Sequence, residues 1–231
     1  PSEITLVPGQ EITIERFLAV GSSPLSAVGE VLRRSGDTGS LNGKVVGVGN
    51  ENISGVEILA KVNGGSVSGY TEEDGSFSFS FPKGQIYDLI FKDIGRATQS
   101  VAFDLKANDS VEKEISLPSQ SAVVFDIKDE KGISIPCKVQ FNGSGMTKAP
   151  NLGPNNRAHG CVDQYQSERG SFKVAVPPGT YRVVVTHGIE FSHIEREVTV
   201  DPGKKVSFNG VLKRVVDTTG WVSTDYHNHS T

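Results

Sequence analysis

At 231 residues, 36% hydrophobic and 22% charged, the chain is long enough for one to three domains and too apolar to be disordered. Its 23 Lys and Arg against 27 Asp and Glu give a net charge of −4 with no basic block, which argues against nucleic acid as a partner, because phosphate neutralisation needs clustered cations. No apolar run reaches the ~18 residues of a membrane span, and 26 Gly with 11 Pro fit a fold rich in turns.

The chain opens on Pro1 with no basic or apolar leader, so it is expected to have been cut or processed from something longer. Ile4-Thr5-Leu6-Val7 and the run from Ile12 to Val20 flank Pro8-Gly9-Gln10-Glu11, which predicts a β-hairpin. A lone hairpin is marginal in water, so the expectation is that it completes an upstream sheet or packs on the next module. Residues 23–36 read as a helix. Ser23 is placed to cap it, Pro24 suits its first position, Arg33 and Arg34 suit its last turn, and Gly36 is expected to end it in the left-handed conformation. Leu25, Val28, Val31 and Leu32 form its apolar stripe. This is the one clear helix in the pattern.

From Leu41 the period becomes two. Strands are predicted near 42–48, 56–62, 66–71, 76–81, 86–92, 97–104 and 111–116. A second set is predicted near 121–128, 136–142, 162–166, 171–176, 180–186, 194–200 and 205–213. An internal repeat divides them. Residues 75–84 (Gly-Ser-Phe-Ser-Phe-Ser-Phe-Pro-Lys-Gly) align without a gap on 170–179 (Gly-Ser-Phe-Lys-Val-Ala-Val-Pro-Pro-Gly), each followed by a Tyr, Tyr87 or Tyr181. Upstream, Ala60-Lys61-Val62 mirrors Cys137-Lys138-Val139. Between these landmarks the second module carries extra residues, about 144–166, that read as a long surface loop. The fold class is therefore all-β: two tandem antiparallel, prealbumin- or immunoglobulin-like β-sandwich modules, preceded by a hairpin and one short helix. The divisions are 1–40, the tail of an upstream domain; 41–118, the first sandwich; 119–216, the second; and 217–231, the start of another domain. Cys137 and Cys161 are either two buried thiols or a disulfide pinning the long loop, and their spacing matches no zinc signature.

Gly43-Lys44-Val45, Thr71-Glu72-Glu73-Asp74-Gly75-Ser76-Phe77 and Pro82-Lys83-Gly84 followed by Tyr87 resemble the carboxypeptidase regulatory-like domain over about 41–118. That resemblance implies a seven-stranded prealbumin-like sandwich and a non-catalytic accessory role. Gly220-Trp221-Val222-Ser223-Thr224-Asp225-Tyr226-His227-Asn228-His229-Ser230 resembles the opening of a polymerase-and-histidinol-phosphatase (PHP) metallohydrolase domain, in its carbaryl-hydrolase-like branch. It implies that His227 and His229 are metal ligands in the parent protein, with zinc, manganese or iron as the cofactor and Asp225 orienting a ligand. Residues i and i+2 of a strand share a face, so the two imidazoles can converge on one cation or on adjacent ones. Two imidazoles without carboxylates make an incomplete site, so this segment alone is expected neither to hold metal tightly nor to catalyse.

Other constellations carry less. His187, Glu190 and His193 follow a strand and read as a polar loop. Glu72-Glu73-Asp74-Gly75 reads as a solvated acidic turn and lacks the EF-hand spacing. Ser144, between Gly143 and Gly145, reads as loop. Trp221 is expected in a core or interface. Tyr70, Tyr165 and Tyr226 are the aromatic candidates for a sugar-binding surface. The functional expectation is an accessory region of a larger, secreted or periplasmic metal-dependent hydrolase of phosphoesters, amides or carbamates, whose partner is a downstream catalytic domain. The alternative is a stand-alone binding or adhesion module for carbohydrate or a cell-surface ligand.

Overall fold

The computed structural model describes residues 4–222 and 224, with 63, 107 and 158 excepted. Asp225, His227 and His229, expected to hold and orient a metal, lie outside them, as does Tyr226. All fourteen predicted strands are present.

The first sandwich comprises β1 (Thr38–Val46), β2 (Glu57–Val62), β3 (Gly65–Tyr70), β4 (Ser76–Pro82), β5 (Ile86–Lys92), β6 (Gln99–Asp104) and β7 (Ser110–Ser116). Its sheets run β4-β1-β7 and β3-β2-β5-β6. The second comprises β8 (Ala122–Asp129), β9 (Cys137–Gly143), β10 (Gln164–Ser167), β11 (Ser171–Ala175), β12 (Gly179–Thr186), β13 (Ile194–Val200) and β14 (Lys205–Leu212), in sheets β11-β8-β14 and β10-β9-β12-β13. The two topologies match strand for strand, and in each the first and last strands pair parallel while the other pairings are antiparallel. Each sandwich closes over its own core, one centred on Phe77, Phe81, Phe91 and Phe103, the other on Phe125, Phe141, Tyr181 and Phe208. The period-2 pattern requires this: Phe77, Phe79 and Phe81 are buried on one face of β4, while Ser76, Ser78 and Ser80 point away.

The repeated landmark has a physical cause. The Gly75 carbonyl accepts from the Val45 amide at 2.8 Å, and the Gly170 carbonyl accepts from the Ile127 amide at 2.8 Å. A Cβ at either glycine would lie 2.7 Å from the Val45 carbonyl oxygen or 1.9 Å from that of Ile127, so only glycine fits against the neighbouring strand. The following tyrosines also match. Tyr87 donates its hydroxyl proton to the Pro82 carbonyl at 2.9 Å, and Tyr181 does the same to Pro177 at 2.7 Å, closing each turn from inside.

The helix α1 (Pro24–Ser35) carries the expected capping box, in which Ser23 and Ser26 exchange side-chain and backbone bonds. Two details differ. Gly36 is extended (φ 177), and the helix closes instead through its amide to the Leu32 carbonyl at 3.2 Å. Val31 faces solvent, because Leu25 and Leu32 alone enter the first core, with Val28 against it. The hairpin is a further correction. A Pro-Gly turn forms, with the Gln10 amide on the Val7 carbonyl at 3.0 Å, but residues 4–20 contain no strand. Among the described residues no strand pairs with it to complete a ladder, and a two-stranded ribbon buries too little to hold itself. Ile4, Leu6, Val7, Ile12, Ile14, Phe17, Leu18 and Val20 are therefore exposed, with Arg34 lying over the Phe17 ring at 4.7 Å.

Leu117 is buried in the first core and Ala122 is fully buried at the start of β8, leaving residues 118–121 as connector. That connector is bonded on both sides. The Ser121 amide donates to the Gly95 carbonyl at 2.7 Å, and the Gln120 side-chain amide donates to the Ile94 carbonyl at 3.0 Å. Arg96, whose side chain is only 7% exposed, reaches the Pro118 carbonyl and the Asp93 carboxylate. The Ser121 hydroxyl donates to the Asp201 carbonyl and accepts from the Gly203 amide at 2.8 Å.

Candidate functional site

Among the described residues, the sequence-predicted candidates do not assemble into one site. The His187 ring meets Phe191 edge-on at 4.5 Å, while Glu190 pairs with Arg214 instead of turning to either histidine. Among the described residues no group of three His, Cys, Asp or Glu is placed to hold a metal. In the acidic turn, Asp74 accepts from Ser76 at its backbone amide (2.9 Å). Bonding from Ser76 holds the carboxyl below its usual range, as expected of a local turn. The Ser144 hydroxyl donates to the Glu197 carboxylate at 2.9 Å on the exposed surface.

Cys137 and Cys161 are both free. Cys137 is buried, and desolvation pushes its thiol up to about 11. Cys161 is only partly buried, and its amide and carbonyl close a tight turn with Gln164. The long loop is held by other means. Leu152 is buried in the second core, its amide donates to the Val162 carbonyl at 2.6 Å, and the Val162 amide returns to Gly153 at 2.9 Å.

The three interaction candidates separate clearly. Trp221, expected in a core or interface, is 82% exposed in this chain. Tyr165 is half-buried, stacked on Phe172 at 5.7 Å. Tyr70 is exposed, and it borders a cleft of about 810 Å³ where the two sandwiches meet. One wall is the outer face of the β3-β2-β5 sheet. Glu57 stands directly opposite Tyr70 across one strand pair and opposite Lys92 across the other, so the three side chains form a row on one face. The other wall is the Leu152-anchored loop, with Asn151 and Arg157. Sequence reasoning placed strands near 56–62, 66–71 and 86–92 and named Tyr70 as an aromatic candidate. It gave no register, so the row stayed hidden, and nothing in the pattern placed the loop of one module against the sheet of the other.

The chain leaves the second sandwich through a bonded strap. Phe191 and Arg214 form a bridge, and the Val215 and Val216 amides both donate to the Glu190 carbonyl, at 2.9 and 3.2 Å. The Arg214 guanidinium lies over the Phe191 ring at 4.6 Å, pairs with Glu190 and donates to the Thr218 hydroxyl at 2.9 Å, and the Arg214 amide donates to Glu130 at 2.9 Å. Beyond it, Asp217 accepts from the Thr219 hydroxyl and amide, and these bonds lower its pKa.

No family model matches the chain, and no curated protein matches it. Solved structures similar to it include the TIE protein of Bacillus anthracis (15% identity over 80% of this chain, TM-score 0.34). Others are a streptococcal ancillary pilin (14% over 77%, TM-score 0.38) and the shaft pilin SpaA of Lactobacillus rhamnosus GG (13% over 77%, TM-score 0.41). The chain spans 37% of the first of these proteins, 62% of the second and 97% of the third. Among the described residues no helix is long and apolar enough to cross a membrane.

Proposed function

We propose that this region is a non-catalytic structural and binding arm, a pair of β-sandwiches held in fixed relation so that surfaces at the joint and at both ends are presented together. The observation that carries this reading is the joint. A four-residue connector, 118–121, is bonded to both modules, and Arg96 is spent on it with its charge satisfied by Asp93. A passive tether needs no such bonding, and flexible linkers are typically rich in Gly and Ser with free backbone. A secreted or cell-surface location accords with this role. Small-angle X-ray scattering on the chain tests it: one rigid arrangement should fit the whole curve. A curve that requires an ensemble of independently tumbling modules would overturn it.

The finer reading is that the arm belongs to a metal-dependent hydrolase whose first ligands are His227 and His229, with Asp225 orienting one of them. The strap at Arg214 favours it, because it holds the chain rigidly just before that motif. A divalent metal held by His227 and His229 would lower the pKa of its bound water to about 7 and so supply hydroxide for hydrolysis of an ester or amide at neutral pH. If the gene continues past Thr231 with a barrel-length segment bearing further His, Asp and Glu, the reading is supported. A stop codon directly after Thr231 overturns it and leaves the stand-alone binding module.

A further inference from the structure

We infer that the inter-module cleft is a binding site for an acidic oligosaccharide. The site does not depend on whether the arm carries a hydrolase. Its floor is the row Tyr70, Glu57 and Lys92 on adjacent strands, and its far wall carries Asn151 and Arg157. A phenol ring exposed on a flat sheet face offers the apolar side of a sugar a stacking surface at little entropic cost, since the ring has few torsions to freeze. The groups around it complement hydroxyls. Glu57, which already accepts from Ser68 at 2.9 Å, retains lone pairs for sugar hydroxyls. The Asn151 carboxamide oxygen accepts from the Gly153 amide at 3.2 Å, leaving its NH₂ to donate.

Charge decides which sugar. Arg96, the other cation in the lining, is already paired with Asp93. Lys92 and Arg157 have no carboxylate partner among the described residues. With Arg96 and Asp93 offsetting each other, Lys92 beside Glu57 in the row and Arg157 on the facing wall leave the lining one positive charge in excess, which suits a chain that carries carboxylates along with hydroxyls. A cleft of about 810 Å³ is large enough for several rings, and the walls come from both sandwiches, so the rigid joint sets its width.

The experiment is a two-dimensional NMR titration of the 231-residue protein with oligogalacturonate, with cello-oligosaccharide and poly-glutamate as the other arms. Saturable shifts at 57, 70, 92 and 151–157 with oligogalacturonate, and weaker binding of the neutral sugar, are expected. Tyr70→Ala should weaken binding about tenfold while Tyr70→Phe preserves it. Arg157→Gln should weaken the acidic sugar and leave the neutral one unchanged. Each variant's spectrum also reports whether it is folded. The proposal is overturned by the absence of saturable shifts, by shifts confined to another surface, or by a folded Tyr70→Ala that binds as the parent does. It is equally overturned if poly-glutamate binds as tightly as the sugar, which would make the cleft a general anion surface.

Discussion

Gly95 is the residue through which the rigidity of the joint can be measured. It sits in the turn after β5 with φ +81, and its carbonyl accepts from the Ser121 amide at 2.7 Å. Alanine there meets two costs. The left-handed backbone alone costs a residue with a Cβ about 1–2 kcal/mol. The added Cβ would also lie 2.3 Å from the Ser121 carbonyl oxygen and 3.1 Å from that of Val176, both across the joint, so the connector must move. Gly132 provides the control. Its φ is +79, it too sits in a turn, and nothing lies within 4 Å of its Cβ position. Gly132→Ala should therefore show the backbone cost alone. Gly95→Ala should exceed it by roughly 1–3 kcal/mol, the worth of the Ser121 bond plus the strain of overpacking. Urea unfolding followed by far-ultraviolet circular dichroism gives both values, and small-angle scattering shows whether Gly95→Ala loosens the pair. If the modules were loosely tethered, they would part to admit the methyl group, and the two substitutions would cost the same. Equal costs would refute the rigid joint.

Four further outcomes follow from the same geometry. Tyr87→Phe and Tyr181→Phe each remove the hydroxyl that closes a Pro-x-Gly turn, and each should cost about 1 kcal/mol by urea denaturation, with burial elsewhere unchanged. Stability should fall at alkaline pH: burial raises the Cys137 thiol from 9.0 to about 11 and raises the Tyr87 and Tyr181 phenols above 10.0. The unfolded chain therefore ionises first, and the stability present below pH 9 is lost as pH rises through the folded values, which thermal melts across that range would detect. Cys161 should react with a maleimide in the native protein while Cys137 stays protected until unfolding, and equal rates by mass spectrometry would contradict the burial of Cys137. Removing the residues before Phe17 should shift the melting temperature by no more than about 2 °C, since no side chain of residues 4–16 enters a core.

What was legible in the sequence, and what was not, divides along local and non-local physics. Each strand carries its own alternation, so Phe77-Ser78-Phe79-Ser80-Phe81 announces a half-buried strand without reference to any neighbour. The repeated Gly-Ser-Phe and Pro-x-Gly landmarks, each with a Tyr just after, revealed two modules because their causes are short-range. A glycine pressed on the adjacent strand and a tyrosine bonded to a proline carbonyl five or four residues back recur wherever the same turn recurs. The hairpin at 4–20 failed for the complementary reason. Its pattern states only that the segment would pair if an edge were available, and alternation cannot supply the edge. Trp221 lies outside both cores, since a large apolar ring reads as covered in sequence without saying which surface covers it. The cleft was the least legible feature because it needs three pieces of non-local information at once: the β3-β2-β5 register, the anchoring of the long loop by Leu152, and the angle fixed at the joint by Gly95 and Ser121. None leaves a periodic trace. In a tandem sandwich the cores are thus written in each strand, while the surfaces that act between modules are written in the contacts of the connector.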